Sequence, residues 1–170
     1  MFLDRDGVLN AVIARDGRPY PPRSLTDLAI YPEVPGSLTR LKDAGFALVV
    51  VTNQPDVARA TQTREMVEAM NAHLSTVLPL DEVRVCYHDD EDRCACRKPS
   101  PGLLTAAPYY DLPGSFMVGD RWRDVEAGQN AGCRTVFIDR GYAERQPVAD
   151  AHVRSLSEAV DWILQRNERP

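Results

Sequence analysis

The stretch that most constrains the fold is Phe46-Ala-Leu-Val-Val-Val51, a continuous apolar run that stops at once in Thr52-Asn53-Gln54. An unbroken run without polar alternation is the pattern of a parallel strand buried on both faces. Helical patterns flank it. Pro35 opens one helix as a first-turn proline and Gly45 closes it, with Leu38 and Leu41 facing inward. Thr63 caps a second helix, along which Met66, Val67, Met70, Leu74, Val77 and Leu78 follow helical spacing. His73 falls on its wet face and takes no role.

The remaining apolar runs continue the alternation. Val83-Arg-Val85, Ser115-Phe-Met-Val118 and Thr135-Val-Phe-Ile138 read as strands. A helix is expected near Pro101, a short one reaching Gly132, and a last one behind a Ser155/Glu158 capping box. Its apolar face is Leu156, Ala159, Val160, Ile163 and Leu164. The fold class is therefore α/β with a mainly parallel sheet. Residues 11–31, broken by Gly17, Pro19, Pro21 and Pro22, read as one long loop in which Arg15, Arg18 and Arg23 can meet an anionic ligand. Only Met1, Phe2 and Leu3 precede Asp4, fewer than the roughly five residues of an ordinary strand. Either the first strand is unusually short or the natural chain begins upstream.

At 170 residues the chain is expected to form one domain, 1–170. A net charge of −5 argues against a general nucleic-acid or acidic-membrane partner. No apolar run has the length of a membrane span and no signal peptide is visible. We therefore expect a cytoplasmic monomer. In a reducing compartment its four cysteines indicate metal or free thiols rather than disulfides.

Polar clusters follow three of the apolar runs: Asp4/Asp6, Thr52/Asn53 and Asp120/Asp124. In open parallel sheets ligands bind beyond the carboxyl ends of the strands. Asp4 and Asp6, two apart in an extended segment, face one site, and Gly7 lets the chain turn away. Taken singly, Asp-x-Asp-Gly is also what a solvated turn looks like; three clusters at one edge make a site. Asp4, Asp6 and Asp120 are the carboxylates that can hold Mg²⁺. Thr52 and Lys98 can bind phosphate oxygens. Phosphoryl transfer needs this set of an in-line nucleophile, a cation and donors for gathering charge.

Phe-Leu-Asp4-Arg-Asp6-Gly, Val-Val-Thr52-Asn-Gln, Arg97-Lys98-Pro99 and Gly119-Asp120-Arg-x-x-Asp124 resemble, in order, the four motifs of the haloacid dehalogenase-like (HAD) phosphatases. The closer resemblance is to the heptose 1,7-bisphosphate 7-phosphatase and histidinol-phosphatase subfamily, over residues 2 to about 165. It implies a three-layer Rossmann-like fold without a separate cap domain. It makes Asp4 the nucleophile and Asp6 the general acid and base, with Mg²⁺ on Asp4, the Asp6 main-chain carbonyl and Asp120. It assigns Thr52 and Lys98 to the phosphoryl group, Asn53, Arg97 and Arg121 to substrate, and Asp124 to orienting the metal shell or Lys98. Two departures stand out. Pro55-Asp56 replaces the small residues common after Thr52-Asn-Gln54, and Arg121 stands where many members carry lysine.

Cys86-x-His88-x5-Cys94-x-Cys96 offers three thiolates and an imidazole, a closed tetrahedral zinc set of structural type. The same resemblance implies zinc there. Arg97 and Lys98 follow the last ligand directly, so zinc in the 86–96 loop would fix their position. Cys133 reads as a packed thiol. The functional expectation is a Mg²⁺-dependent phosphatase of a small sugar phosphate, foremost a heptose 1,7-bisphosphate. Histidinol phosphate is the alternative substrate, and a non-catalytic zinc-stapled interaction module the alternative from another class.

Overall fold

The run beginning at Phe46 delivers β4, Val49–Asn53, into the middle of a sheet. On either side lie β5 (Glu82–Cys86) and β1 (Phe2–Leu3), followed by β6 (Phe116–Gly119), β7 (Arg134–Ile138) and β8 (Ala151–Val153). The order is β5-β4-β1-β6-β7-β8, and every pairing is parallel. The structure is a computed structural model describing residues 1–15 and 17–167. Of the expected 1–170 domain, Asp16 and residues 168–170 lie outside the described residues.

Strand parity divides the core. Phe2, Val49, Val51 and Met117 join Leu103, Leu104 and Ala127 on one face. Leu3, Val50, Phe116 and Val118 join Leu38, Leu41, Leu156, Val160 and Ile163 on the other. Successive strand residues point to opposite faces, so a sheet covered on both sides needs apolar residues at both parities. That is why these runs lack polar alternation. The helices supplying the cover are α1 (Val34–Asp43) and α5 (Leu156–Asn167) on one side. On the other are α3 (Gly102–Thr105) and α4 (Trp122–Ala131). The helix expected near Pro101 is thus a single turn.

The two-residue β1 lies between β4 and β6 because its ladder continues at both ends. Val49 N–H donates to the Met1 carbonyl, and Asp4 N–H donates to the Val118 carbonyl, each at 2.9 Å. Two elements differ from the sequence reading. β8 was not foreseen, and the loop 11–31 contains a hairpin of β2 (Ile13–Arg15) and β3 (Arg18–Tyr20). Pro19 is tolerated in β3 because a two-stranded ribbon leaves one edge of each strand unpaired.

The second helix, α2 (Arg64–Val77), begins where Thr63 Oγ1 accepts the Met66 N–H at 3.2 Å. Its buried stripe is Val67, Met70, Asn71 and Leu74, whereas Val77 points to solvent. A polar side chain inside an apolar stripe needs a partner, and the partner of Asn71 leads into the site.

Candidate active site

Because the sheet is parallel, the carboxyl ends of β1, β4 and β6 share one edge. β1 runs into Asp4, β4 ends in Thr52 and Asn53, and β6 runs through Gly119 into Asp120. Lys98 arrives from the segment between β5 and α3. Asn53 fixes its main chain in both directions: Asn53 Nδ2 donates to the Lys98 carbonyl (3.0 Å) and Lys98 N–H donates to Asn53 Oδ1 (3.1 Å). Asn53 also lines the cavity described below, and its amide keeps a second N–H and a second lone pair for a ligand.

Lys98 is buried with its ammonium among three acceptors: the Val51 carbonyl at 2.8 Å, Asp4 Oδ1 at 2.9 Å and Asp124 Oδ1 at 2.5 Å. Burial opposes its charge, but Asp124 and Asp4 outweigh burial and hold its pKa above the ordinary lysine value. Asp124 Oδ2 accepts the Arg121 N–H at 2.9 Å. Gly119 admits this packing, because a Cβ there would lie 2.1 Å from that of Asp124.

Asp4 Oδ1 also accepts the Arg5 N–H at 2.8 Å, so both of its bonds fall on that oxygen. Burial, then Asp124, push the Asp4 carboxyl up to about 7 against the pull of Lys98. Burial, then Asp4 and Asp124, raise Asp120 well above the usual carboxylate range. Asp4, Asp120 and Asp124 each offer an oxygen, all within 4.8 Å of one another. Asp120 Oδ1 is buried without a hydrogen-bond partner. A hard divalent cation with oxygen ligands fits this place: it would take the orphaned oxygen and relieve the crowded negative charge. Gly7, at φ +86°, turns the chain against Asp120 so closely that a Cβ there would fall 1.7 Å from Asp120 Oδ2.

Asp6 stands apart from that cluster. Its Oδ1 accepts from Arg5 Nε (3.2 Å) and Asn10 Nδ2 (2.9 Å), and its Oδ2 from Arg5 Nη2 (2.9 Å) and Gln54 Nε2 (2.8 Å). Its side chain is therefore not one of the clustered cation-facing carboxylates, a correction to the grouping of Asp6 with Asp4 and Asp120. Burial opposes the Asp6 charge, but Arg5, then Asn10 and Gln54, outweigh it and hold the pKa below the ordinary value. Arg5 itself is fully buried and donates through Nη1 to Asn71 Oδ1 at 2.9 Å, which is the partner α2 requires.

A cavity of about 350 Å³ opens onto these groups, lined at its inner end by Asp4, Asp6, Thr52, Lys98, Asp120 and Asp124. Its outer wall carries Arg59, Arg97, Arg121 and Arg123 together with Asp56 and Asp90. Arg97 Nε donates to Asp90 Oδ1 at 2.8 Å, while Arg97 Nη1 is buried without a partner. Arg123 Nη1 reaches the same Asp90 oxygen at 3.1 Å. Arg59 is paired bidentately with Asp89, and Arg121 with Glu144. Arg59 and Arg123 were missed in the sequence; the spacing of Arg123 from Arg121 in the first turn of α4 was the available signal. Arg15 is corrected: it is exposed, stacks over Tyr20 and does not line the cavity. The hairpin contributes Pro19 and Tyr20 to the lining instead.

Cys86 ends β5, and the chain folds back so that Cys86, His88, Cys94 and Cys96 converge. Cys96 Sγ lies 3.2 Å from Cys86 Sγ, 3.4 Å from Cys94 Sγ and 3.3 Å from His88 Nδ1. With Cys86 Sγ 3.6 Å from both His88 Nδ1 and Cys94 Sγ, the group is slightly tighter than the roughly 3.3–3.8 Å that separates ligands held at about 2.0–2.3 Å from one tetrahedral ion, and is of the kind that could close on zinc. All four cysteines are free, and Cys133 is buried elsewhere.

Comparison with known proteins agrees with this architecture. Residues 6–121 match the family described as polynucleotide kinase 3 phosphatase, and residues 95–162 match the HAD-hydrolase-like family. The chain belongs to the HAD-like phosphatases and is a phosphoric monoester hydrolase. It is 32% identical to a D-glycero-D-manno-heptose-1,7-bisphosphate 7-phosphatase of Thermosynechococcus vestitus, over 96% of this chain and 94% of that one. It superimposes on the D,D-heptose 1,7-bisphosphate phosphatase from B. bronchiseptica, complexed with magnesium and phosphate, with a TM-score of 0.82 at 28% identity, covering 98% of each. A histidine biosynthesis bifunctional protein of Bacteroides fragilis is 35% identical over 81% of this chain but only 38% of its own length. Among the described residues no helix is long and apolar enough to cross a membrane.

Proposed function

We propose that the whole chain is one hydrolase unit that removes the 7-phosphate from a heptose 1,7-bisphosphate through an aspartyl-phosphate on Asp4. The observation that carries this reading is the division of one cavity into an acidic inner end around Lys98 and a wall carrying four arginines. A substrate with two phosphates matches both ends. Histidinol phosphate, with an amine and imidazole in place of the second phosphate, matches one.

Asp4 Oδ2 attacks the phosphorus, because Oδ1 is held by Arg5 N–H and Lys98. The bond from phosphorus to the sugar oxygen breaks, and that oxygen takes a proton from Asp6. Asp6 then takes a proton from water, whose oxygen attacks phosphorus and releases Asp4 and inorganic phosphate. Splitting the displacement in this way divides one hard step into two easier ones. To carry its proton Asp6 gives up a donor among Arg5, Asn10 and Gln54, since a protonated oxygen cannot accept as a carboxylate does. Thr52 and Lys98 meet the equatorial phosphate oxygens. Asp4, the Asp6 carbonyl and Asp120 would hold Mg²⁺, which would supply charge neutralisation to the phosphoryl group.

Arg97, which lines the cavity, offers its guanidinium to the distal phosphate. Losing a charge-assisted contact of about 1.5–3 kcal/mol makes Arg97→Ala roughly 10- to 100-fold poorer in kcat/KM for the bisphosphate. Histidinol phosphate should be nearly unaffected. If Arg97→Ala changes nothing and histidinol phosphate is the better substrate, the distal-phosphate assignment fails.

Cys86, His88, Cys94 and Cys96 would hold zinc, which would fix the segment from which Arg97 and Lys98 project. Metal analysis should find about one zinc per chain, absent in Cys94→Ser and kept in Cys133→Ser. Zinc-free wild-type protein with intact activity would contradict this role.

A further inference from the structure

The segment following β7 touches the site at four places that no motif accounts for. Arg140 Nε donates to the Gly7 carbonyl at 2.9 Å, on the turn that carries Asp4 and Asp6. Tyr142 donates its hydroxyl to Asp120 Oδ2 at 2.8 Å. Ala143 N–H donates to the Gly17 carbonyl of the hairpin at 3.1 Å. Glu144 Oε2 accepts from Arg121 Nε at 2.7 Å.

The contact at Tyr142 divides the labour of one carboxylate. Oδ2 of Asp120 is occupied by the phenol, while Oδ1 is buried and has no partner. The turn at Gly7 packs closest to that same Oδ2, so this oxygen is bounded by both main chain and Tyr142. A carboxylate that must present one chosen oxygen to a cation benefits from a fixed partner on the other, and such outer partners orient ligands and tune affinity.

We propose that Tyr142 is a positioning residue for the cation site: its hydroxyl holds Asp120 Oδ2 so that Oδ1 faces the ion. The inference rests on the reading of Asp120 as a cation ligand. Tyr142 touches neither substrate nor ion and acts only through Asp120. Arg140, Gly141 and Ala143 give the tyrosine a fixed platform: Arg140 bonds to Gly7, Gly141 N–H donates to Asp139 Oδ1 at 2.8 Å, and Ala143 bonds to the hairpin.

The test is Mn²⁺ binding to the substrate-free protein, read by the electron paramagnetic resonance of free Mn²⁺, for wild type, Tyr142→Phe and Asp120→Asn. The Phe variant keeps the ring and removes only the hydroxyl. Its Mn²⁺ dissociation constant should rise about 10- to 100-fold, and raising Mg²⁺ should return its kcat close to wild type. A dissociation constant within about twofold of wild type, well short of that range, would overturn the proposal. So would lost activity that excess Mg²⁺ does not restore. If Asp120→Asn binds Mn²⁺ like wild type, the ligand assignment itself falls and the proposal with it. Phosphate release from the bisphosphate by wild type is measured separately, so failure of the substrate reading would leave this result standing.

Discussion

Asp4→Asn is expected to abolish turnover while the protein stays folded with an unchanged or higher melting temperature. The two halves of that result come from different properties of one side chain. An amide oxygen is too weak a nucleophile to form the phosphoenzyme, and removing a covalent nucleophile lowers kcat on the order of 10⁴–10⁶-fold. Stability is spared because the carboxylate is under electrostatic strain. Burial and Asp124 push its pKa up to about 7, so a neutral isostere removes unfavourable charge. The amide oxygen still accepts from Arg5 N–H and Lys98. Near wild-type phosphate release by the Asn protein would show that Asp4 is not the nucleophile.

Lys98→Met should act on stability as strongly as on turnover. Its ammonium sits between Asp4 and Asp124, and the Asp4, Asp120 and Asp124 oxygens lie within 4.8 Å of one another. Removing one partner of a buried ion pair leaves uncompensated charge and costs about 3–5 kcal/mol. For a chain of this size that is a fall of roughly 6–20 °C in melting temperature. Added Mg²⁺ should recover part of it by supplying positive charge to the same carboxylates. Thermal unfolding unchanged by the substitution would mean that the cluster is not held together as described.

How much of this was legible in the sequence depended on how local the signal was. The central sheet was visible because a strand buried on both faces must be apolar at every position, as Val49, Val50 and Val51 are. β8 was not, because Ala-His-Val at the sheet edge exposes His152 and pairs only with β7. The hairpin was obscured by Pro19 and Gly17, which read equally well as loop. The inner site could be read from motifs because Asp4, Thr52 and Asp120 follow apolar runs directly, and a parallel sheet brings such ends together. Of the arginine wall, Arg97 and Arg121 could be read because they belong to motifs, whereas Arg59 and Arg123 could not, since their places depend on how the segment after β4 and the first turn of α4 are set against the cavity. Arg15 was favoured by its position in a basic loop, yet the hairpin turns it to solvent over Tyr20. Asn71 carried a local signal, an amide inside an apolar helical stripe. Tyr142 carried none, because its contact with Asp120 spans 22 residues and is set by the path of the chain after β7.

The most direct test of the central claim is ³¹P NMR of a heptose 1,7-bisphosphate incubated with the wild-type protein and Mg²⁺. The account predicts that the C7 resonance disappears, inorganic phosphate grows in step with it, and the C1 phosphate remains. Loss of the C1 phosphate first, or no inorganic phosphate at all, would contradict it.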